Sequence, residues 1–218
     1  MAGSGSVPVA FWLLPIQADA DWLGDRIRQL ARRHDAPDFD PHITLHVGRC
    51  TRRADIETVL RQLAGRWTAL RLAASHTGHS ATFYKAVYVD IAGDRLDGAR
   101  LGDMRRHLVH ELLAAELRVN EGSIGAASAP QPADIDAALA PYEFLPHVSL
   151  LYGDLPQPLR LELASQNDLQ GRSIAFDRVA AVRPAAGYCD LSTVAGWEVF
   201  GHTSLGAERQ PSADRRRD

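Results

Sequence analysis

"PHITLHVG" (41–48) and "PHVSLLYG" (146–153) are two versions of one phrase. Each opens Pro-His, sets a hydroxyl residue two places after the histidine, continues through apolar residues and closes on glycine. Both read as short strands. Side chains alternate along a strand, so His42 and Thr44 share one face while Ile43, Leu45 and Val47 take the other. His147 and Ser149 likewise share a face opposite Val148 and Leu150. The apolar faces can pack under helices, which leaves each strand presenting an imidazole and a hydroxyl. Each phrase is followed by a helical pattern and then by two strand patterns, which predicts an internal duplication of about half the chain.

The remaining segments fit around these strands. "VPVAFWLLPI" (7–16) predicts a buried strand. In the helix that follows, Asp19 or Asp21 is placed to cap, and Trp22, Leu23, Ile27, Leu30 and Ala31 fall on one face. "APDFDP" (36–41) stops that helix. Further helices are predicted over 54–64, about 94–117 with the stripe Leu101, Met104, Leu108, Leu112 and Ala115, and about 157–169. Further strands are predicted over 68–74, 82–91, 173–183 and about 195–202. In "TFYKAVYVDI" (82–91) alternation puts Phe83, Lys85, Val87, Val89 and Ile91 on one face and Tyr84, Ala86, Tyr88 and Asp90 on the other. Residues 119–134, rich in Gly, Ala, Ser and Pro, read as a loop or lid, and "ERQPSADRRRD" (208–218) as a disordered tail. The expected fold is α+β. One bilobal domain over 1–203 has two pseudo-symmetric lobes whose antiparallel sheets face a central cleft with helices outside, and 204–218 is a tail.

Bulk properties exclude several classes. Across 218 residues, 24 Lys and Arg face 27 Asp and Glu, a formal net charge of −3. Proteins that track a long phosphate backbone carry a basic excess, so extended nucleic acid is not an expected partner. One locally positive pocket still suits a small phosphorylated ligand. The two cysteines, Cys50 and Cys189, make neither a disulfide framework nor a zinc knuckle, and a reducing cytoplasm is expected. No apolar run has the length of a membrane span, and "MAGSGSVPVAFWLLP" (1–15) lacks the basic start of a signal peptide. No membrane partner and no cofactor are expected, and the expected state is a monomer.

Two imidazoles and two hydroxyls facing one cleft suit a phosphodiester. Hydrolysis needs a base to take a proton from water and an acid to protonate the departing oxygen. Histidine, with an ordinary pKa near 6.5, does either near neutrality. The pair must flank phosphorus for in-line displacement, and hydroxyls such as those of Thr44 and Ser149 can donate to the non-bridging oxygens.

"HITL" and "HVSL" resemble the paired His-x-Thr/Ser-x signature of the 2H phosphoesterase superfamily, most closely its cyclic phosphodiesterase-like branch. "FWLLP", "TFYKAVYV" and "PYEFLPHVSLLYGDL" are similar to that branch in order and spacing, so the resemblance covers most of 7–202. It implies a bilobal α+β fold. It also implies hydrolysis of nucleoside 2′,3′-cyclic phosphates to 2′-phosphates, or of ADP-ribose 1″,2″-cyclic phosphate to the 1″-phosphate. His42 and His147 would carry acid–base catalysis, while Thr44 and Ser149 would hold the phosphate. Tyr152 resembles a tyrosine near the phosphate, although strict alternation sets it opposite Ser149, so a bend before Gly153 is required. Trp12 and Tyr84 resemble cleft aromatics that stack on a base or ribose. Alternatives are an RNA-end phosphodiesterase or 2′–5′ RNA ligase-like enzyme, and a non-catalytic nucleotide-binding module. The paired histidines argue against the last, since binding alone needs no proton-transfer groups.

Other polar residues have plainer readings. His46 shares the parity of His42 and Thr44, but two ligands do not make a metal site, so it reads as a polar residue at the cleft end of the strand. His76 and His79 flank Gly78 in an exposed turn, and His107 and His110 face solvent or a rim from the long helix. Lys85 either meets a phosphate or snorkels at the surface. Trp12 either lines the cleft or fills the core, and Arg52 or Arg53 can draw in an anionic ligand.

Overall fold

The computed structural model describes residues 7–50, 53–91, 95–120, 131–141, 143–183, 194 and 196–206. The first apolar run forms β1 (Val7–Pro15). Among the described residues it lies within a single eight-stranded sheet with β2 (Ile43–Cys50), β3 (Leu70–Ala73), β4 (His76–His79), β5 (Val87–Asp90), β6 (His147–Leu151), β7 (Ser173–Arg183) and β8 (Glu198–Ser204). The order is β3-β7-β1-β2-β6-β5-β4, with β8 also on β7, and the pairings are antiparallel. The helices are α1 (Gln17–His34), α2 (Arg53–Arg66), α3 (Arg95–Asn120), α4 (Pro132–Leu139) and α5 (Gln157–Gln166).

The α+β class and the helix–strand alternation follow the expectation. The two expected sheets are the two limbs of this one sheet, joined where the repeated strands meet through the single register pair Ile43–Val148. One apolar core unites Phe11 and Leu13 of β1, Ile43 and Leu45 of β2, Val148 of β6 and the stripe of α3. Leu101, Met104, Leu108, Leu112 and Ala115 are all buried there, as the helical period requires. Each fully buried aliphatic side chain of this kind contributes roughly 1.5–3 kcal/mol.

Several local expectations change. The residue before α1 is Ile16, which makes no side-chain cap. Asp19 instead accepts the Ala175 N–H at 2.8 Å and ties α1 to β7. Residues 82–91 do not form one strand. Phe83–Lys85 is a 3₁₀ turn, and the strand begins at Val87. His76–His79 is not a turn but an edge strand paired with β5, with Gly78 opposite Tyr88. His107 is tucked against Trp67, whose indole N–H donates to its Nδ1 at 3.1 Å. Of the stretch expected as a loop or lid, 119–120 complete α3 and 132–134 begin α4, while 121–130 lie outside the described residues. Pairing continues beyond residue 203: β8 includes Ser204, and Gly206 bridges Thr68. The tail expectation for 208–218 concerns residues outside those described, as does that for Arg52.

Gly78 is an achiral gap filled by a ring: a Cβ there would stand 2.7 Å from Tyr88 Cζ and its hydroxyl oxygen. Gly78→Ala is therefore expected to displace Tyr88 and lower stability by about 1–3 kcal/mol, read from urea midpoints.

Candidate active site

The two copies of the phrase share a fault in alternation. Along β1–β2, Trp12 pairs with Thr44 and Phe11 with His46, so Leu45 is the extra residue of a β-bulge. Along β5–β6, Tyr88 pairs with Ser149 and Val87 with Leu151, so Leu150 is the extra residue. The bulge falls at the same place in both, one residue after the hydroxyl. Both extra leucines point into the core. Beyond the bulge the faces exchange. Val47 and Tyr152 turn to the cleft, which supplies the bend that Tyr152 required. His46 turns away from it, onto the face of Phe11 and toward Leu112 of α3. The expectation that His46 sits at the cleft end of its strand is thereby corrected.

The Ile43–Val148 pair places the histidines. In an antiparallel pair centred there, His42 lies across from Ser149 and Thr44 across from His147. The histidines occupy opposite corners, and such diagonal neighbours stand roughly 7–8 Å apart, with their side chains closer. Both line one cavity of about 290 Å³.

Each ring is fixed in the same way. His42 Nδ1–H donates to the Asp40 carbonyl at 2.6 Å, and His147 Nδ1–H donates to the Leu145 carbonyl at 2.7 Å. The acceptor is in both cases two residues back, across the proline. Proline fixes its own φ and offers no competing N–H. This hydrogen bond commits Nδ1 and leaves Nε2 of the neutral ring as the acceptor.

The surroundings are unequal. His42 is buried and stacked on Trp12, ring centroids 3.7 Å apart and 10° from parallel, with Trp197 edge-on to Trp12 at 5.4 Å. Burial pushes its pKa from 6.5 down to about 4; the Asp40 carbonyl opposes this and His147 adds to it. His147 is also shifted down, by burial first and then by Lys85, against the Leu145 carbonyl and Asp90. Its ring meets the edge of Tyr88 at 5.5 Å.

Of the residues read from sequence, His42, His147, Thr44, Trp12, Tyr84 and Tyr152 come together on the cavity wall. Ser149 does not line it. It is buried, and its hydroxyl donates to the Tyr84 carbonyl at 2.8 Å while interacting with the Tyr152 hydroxyl. Burial raises the Tyr152 pKa, and its ring stacks on Phe39 at 3.7 Å. Sequence reading left Lys85 open; it lines the cavity. Trp197 was missed. It falls within the segment expected as a strand, about 195–202, but the strand begins at Glu198, and nothing in that expectation marks Trp197 as a cleft residue.

The fold is that of the 2H phosphoesterase superfamily. A family model described as cyclic phosphodiesterase-like protein matches residues 7–175, and the chain belongs to that family. No curated protein matches its sequence. Among solved structures it is similar to apo E. coli LigT, with 16% identity, TM-score 0.51 and coverage of 92% of this chain and 98% of that one. It is also similar to TT0787 of Thermus thermophilus, with 18% identity, TM-score 0.55 and coverage of 93% and 100%. At these identities the likeness is one of fold. Among the described residues no helix is long and apolar enough to cross a membrane.

A pH dependence of stability follows from the buried rings. Burial, and then Arg105, also hold His46 down to about 4. The unfolded chain binds these protons at the ordinary 6.5, the folded chain only near 4. Stability is therefore full above about pH 6.5 and is lost as pH falls toward 4. His42 alone is expected to cost on the order of 2 kcal/mol between pH 7 and 5. Urea unfolding at the two pH values checks this, and His46→Leu should lose less than wild type.

Proposed function

We propose that the protein is a cyclic phosphodiesterase acting on a small nucleotide. It opens a nucleoside 2′,3′-cyclic phosphate to the 2′-phosphate, or ADP-ribose 1″,2″-cyclic phosphate to the 1″-phosphate. The observation that carries this reading is the matched pair of Nδ1 anchors, which holds two imidazoles on one cavity with Nε2 as their working atom. A binding module has no need of two oriented proton carriers. The cavity volume and its tryptophan wall suit one nucleotide, with a base or ribose against Trp12, Trp197 or Tyr84.

In this reaction one Nε2 takes a proton from water as its oxygen bonds to phosphorus. The opposite imidazolium gives its proton to the departing ribose oxygen as the P–O bond breaks. Two proton carriers on opposite sides of phosphorus complete the displacement, so the mechanism calls on no metal. Thr44 faces the cavity and is the hydroxyl placed to donate to a non-bridging oxygen. Ser149 acts one step back, holding the Tyr84 carbonyl and the Tyr152 hydroxyl.

Free of ligand, both rings are held toward the neutral form, so the acid must gain its proton when the anionic substrate arrives. Binding of inorganic phosphate is accordingly expected to take up protons and to strengthen as pH falls from 7 toward 5. Calorimetry in buffers of different ionisation enthalpy measures both effects.

The deciding assay offers 2′,3′-cyclic nucleotides and ADP-ribose cyclic phosphate in EDTA and locates the phosphate in the product. Hydrolysis is expected to persist, to vanish nearly completely in His42→Ala and His147→Ala, and to fall ~10²–10³-fold in Thr44→Ala. Loss of turnover in EDTA with restoration by zinc would refute the two-histidine mechanism.

A further inference from the structure

Resting on that reading of the cleft, we propose that Lys85 is its anion-binding residue and sets the direction in which a ligand lies. It would contact the non-bridging phosphate oxygens from the His147 side and leave the nucleoside to the tryptophan side. Among the described residues lining the cavity, Lys85 is the one lysine or arginine. The pocket is therefore polarised. One wall carries Trp12, Trp197 and the stacked His42; the other carries Lys85 and His147, both of which contact the Tyr88 ring.

The lysine is held for this purpose. Its ammonium sits 4.0 Å from the centroid of the Tyr88 ring, and the same ring meets His147. Its backbone belongs to the 3₁₀ turn, whose three carbonyls are each taken by a separate donor. Gly153 N–H donates to Phe83 O at 3.0 Å, Ser149 Oγ to Tyr84 O at 2.8 Å, and Ser80 Oγ to Lys85 O at 2.8 Å. Two of these donors, Ser149 and Gly153, lie within the second copy of the phrase. The strand that carries His147 thus also fixes the turn that carries Lys85, so imidazole and ammonium keep one geometry. Burial holds the ammonium below the ordinary lysine range, with Asp90 and Glu143 opposing. A partly desolvated cation of this kind gains more from an arriving phosphate than a fully hydrated one.

Titrate wild type, Lys85→Met, Lys85→Gln and Lys85→Arg with inorganic phosphate at several salt concentrations, and measure KM and kcat with a 2′,3′-cyclic nucleotide. Lys85→Met keeps the stem against Tyr88 and should weaken phosphate binding about ten-fold, flatten its salt dependence and raise KM more than it lowers kcat. Lys85→Arg should keep most of the affinity; Lys85→Gln serves if the methionine variant does not fold. Unchanged phosphate affinity and salt slope with a lowered melting temperature would make Lys85 a structural partner of Asp90 and Glu143 and overturn the proposal. An arginine variant as weak as the methionine one would overturn it too. If no cyclic substrate is hydrolysed by wild type, the reaction above fails while the phosphate titration still decides the role of Lys85.

Discussion

The hydrogen bond from a histidine Nδ1 to the carbonyl two residues before it, made once in each half, is the constraint on which the site rests. A free imidazole on a strand would sample rotamers and exchange its two nitrogens. Here the preceding proline fixes the chain, the Asp40 or Leu145 carbonyl takes the Nδ1 proton, and Nε2 is left as the free nitrogen of a ring that lines the cavity. The proline and the histidine of the repeated phrase are thus one device. The local sequence encodes the orientation of the ring, and the sheet brings the two devices to a common space.

That common space depends on a narrow junction. The repeated strands share one register pair, Ile43–Val148, and each departs from regular pairing through a bulge at the following leucine. A bulge adds twist and exchanges faces. It buries Leu45 and Leu150, sends His46 toward the helix side and brings Tyr152 into the cavity. Regular strands in the same positions would have placed a third imidazole in the cleft and taken the tyrosine out of it.

The two phrases match in backbone and differ in what surrounds their side chains. His42 stands against tryptophan, while His147 stands beside Tyr88 and Lys85. The first copy presents Thr44 to the cavity; the second uses Ser149 to hold the turn that carries Tyr84 and Lys85. Two imidazoles with the same backbone anchor become chemically different through what surrounds them.

The sequence alone determined the strands of the two repeated phrases, the buried stripe of α3, the α+β class and the candidate pair of imidazoles. These depend on short-range regularities: alternation in a strand, the 3.6-residue helical period, and a phrase repeated whole. Tertiary structure decided the single sheet, the bulges, the 3₁₀ turn at Phe83–Lys85 and the entry of Trp197 and Lys85 into the cleft. Nothing within "TFYKAVYV" announces that its alternation breaks. It breaks because Gly153, Ser149 and Ser80 take the three carbonyls of the turn, and two of those donors lie more than sixty residues away in the chain, with Ser149 separated from Tyr84 by 65. Periodicity reports what a residue's neighbours in sequence require, whereas these contacts are made by neighbours in space.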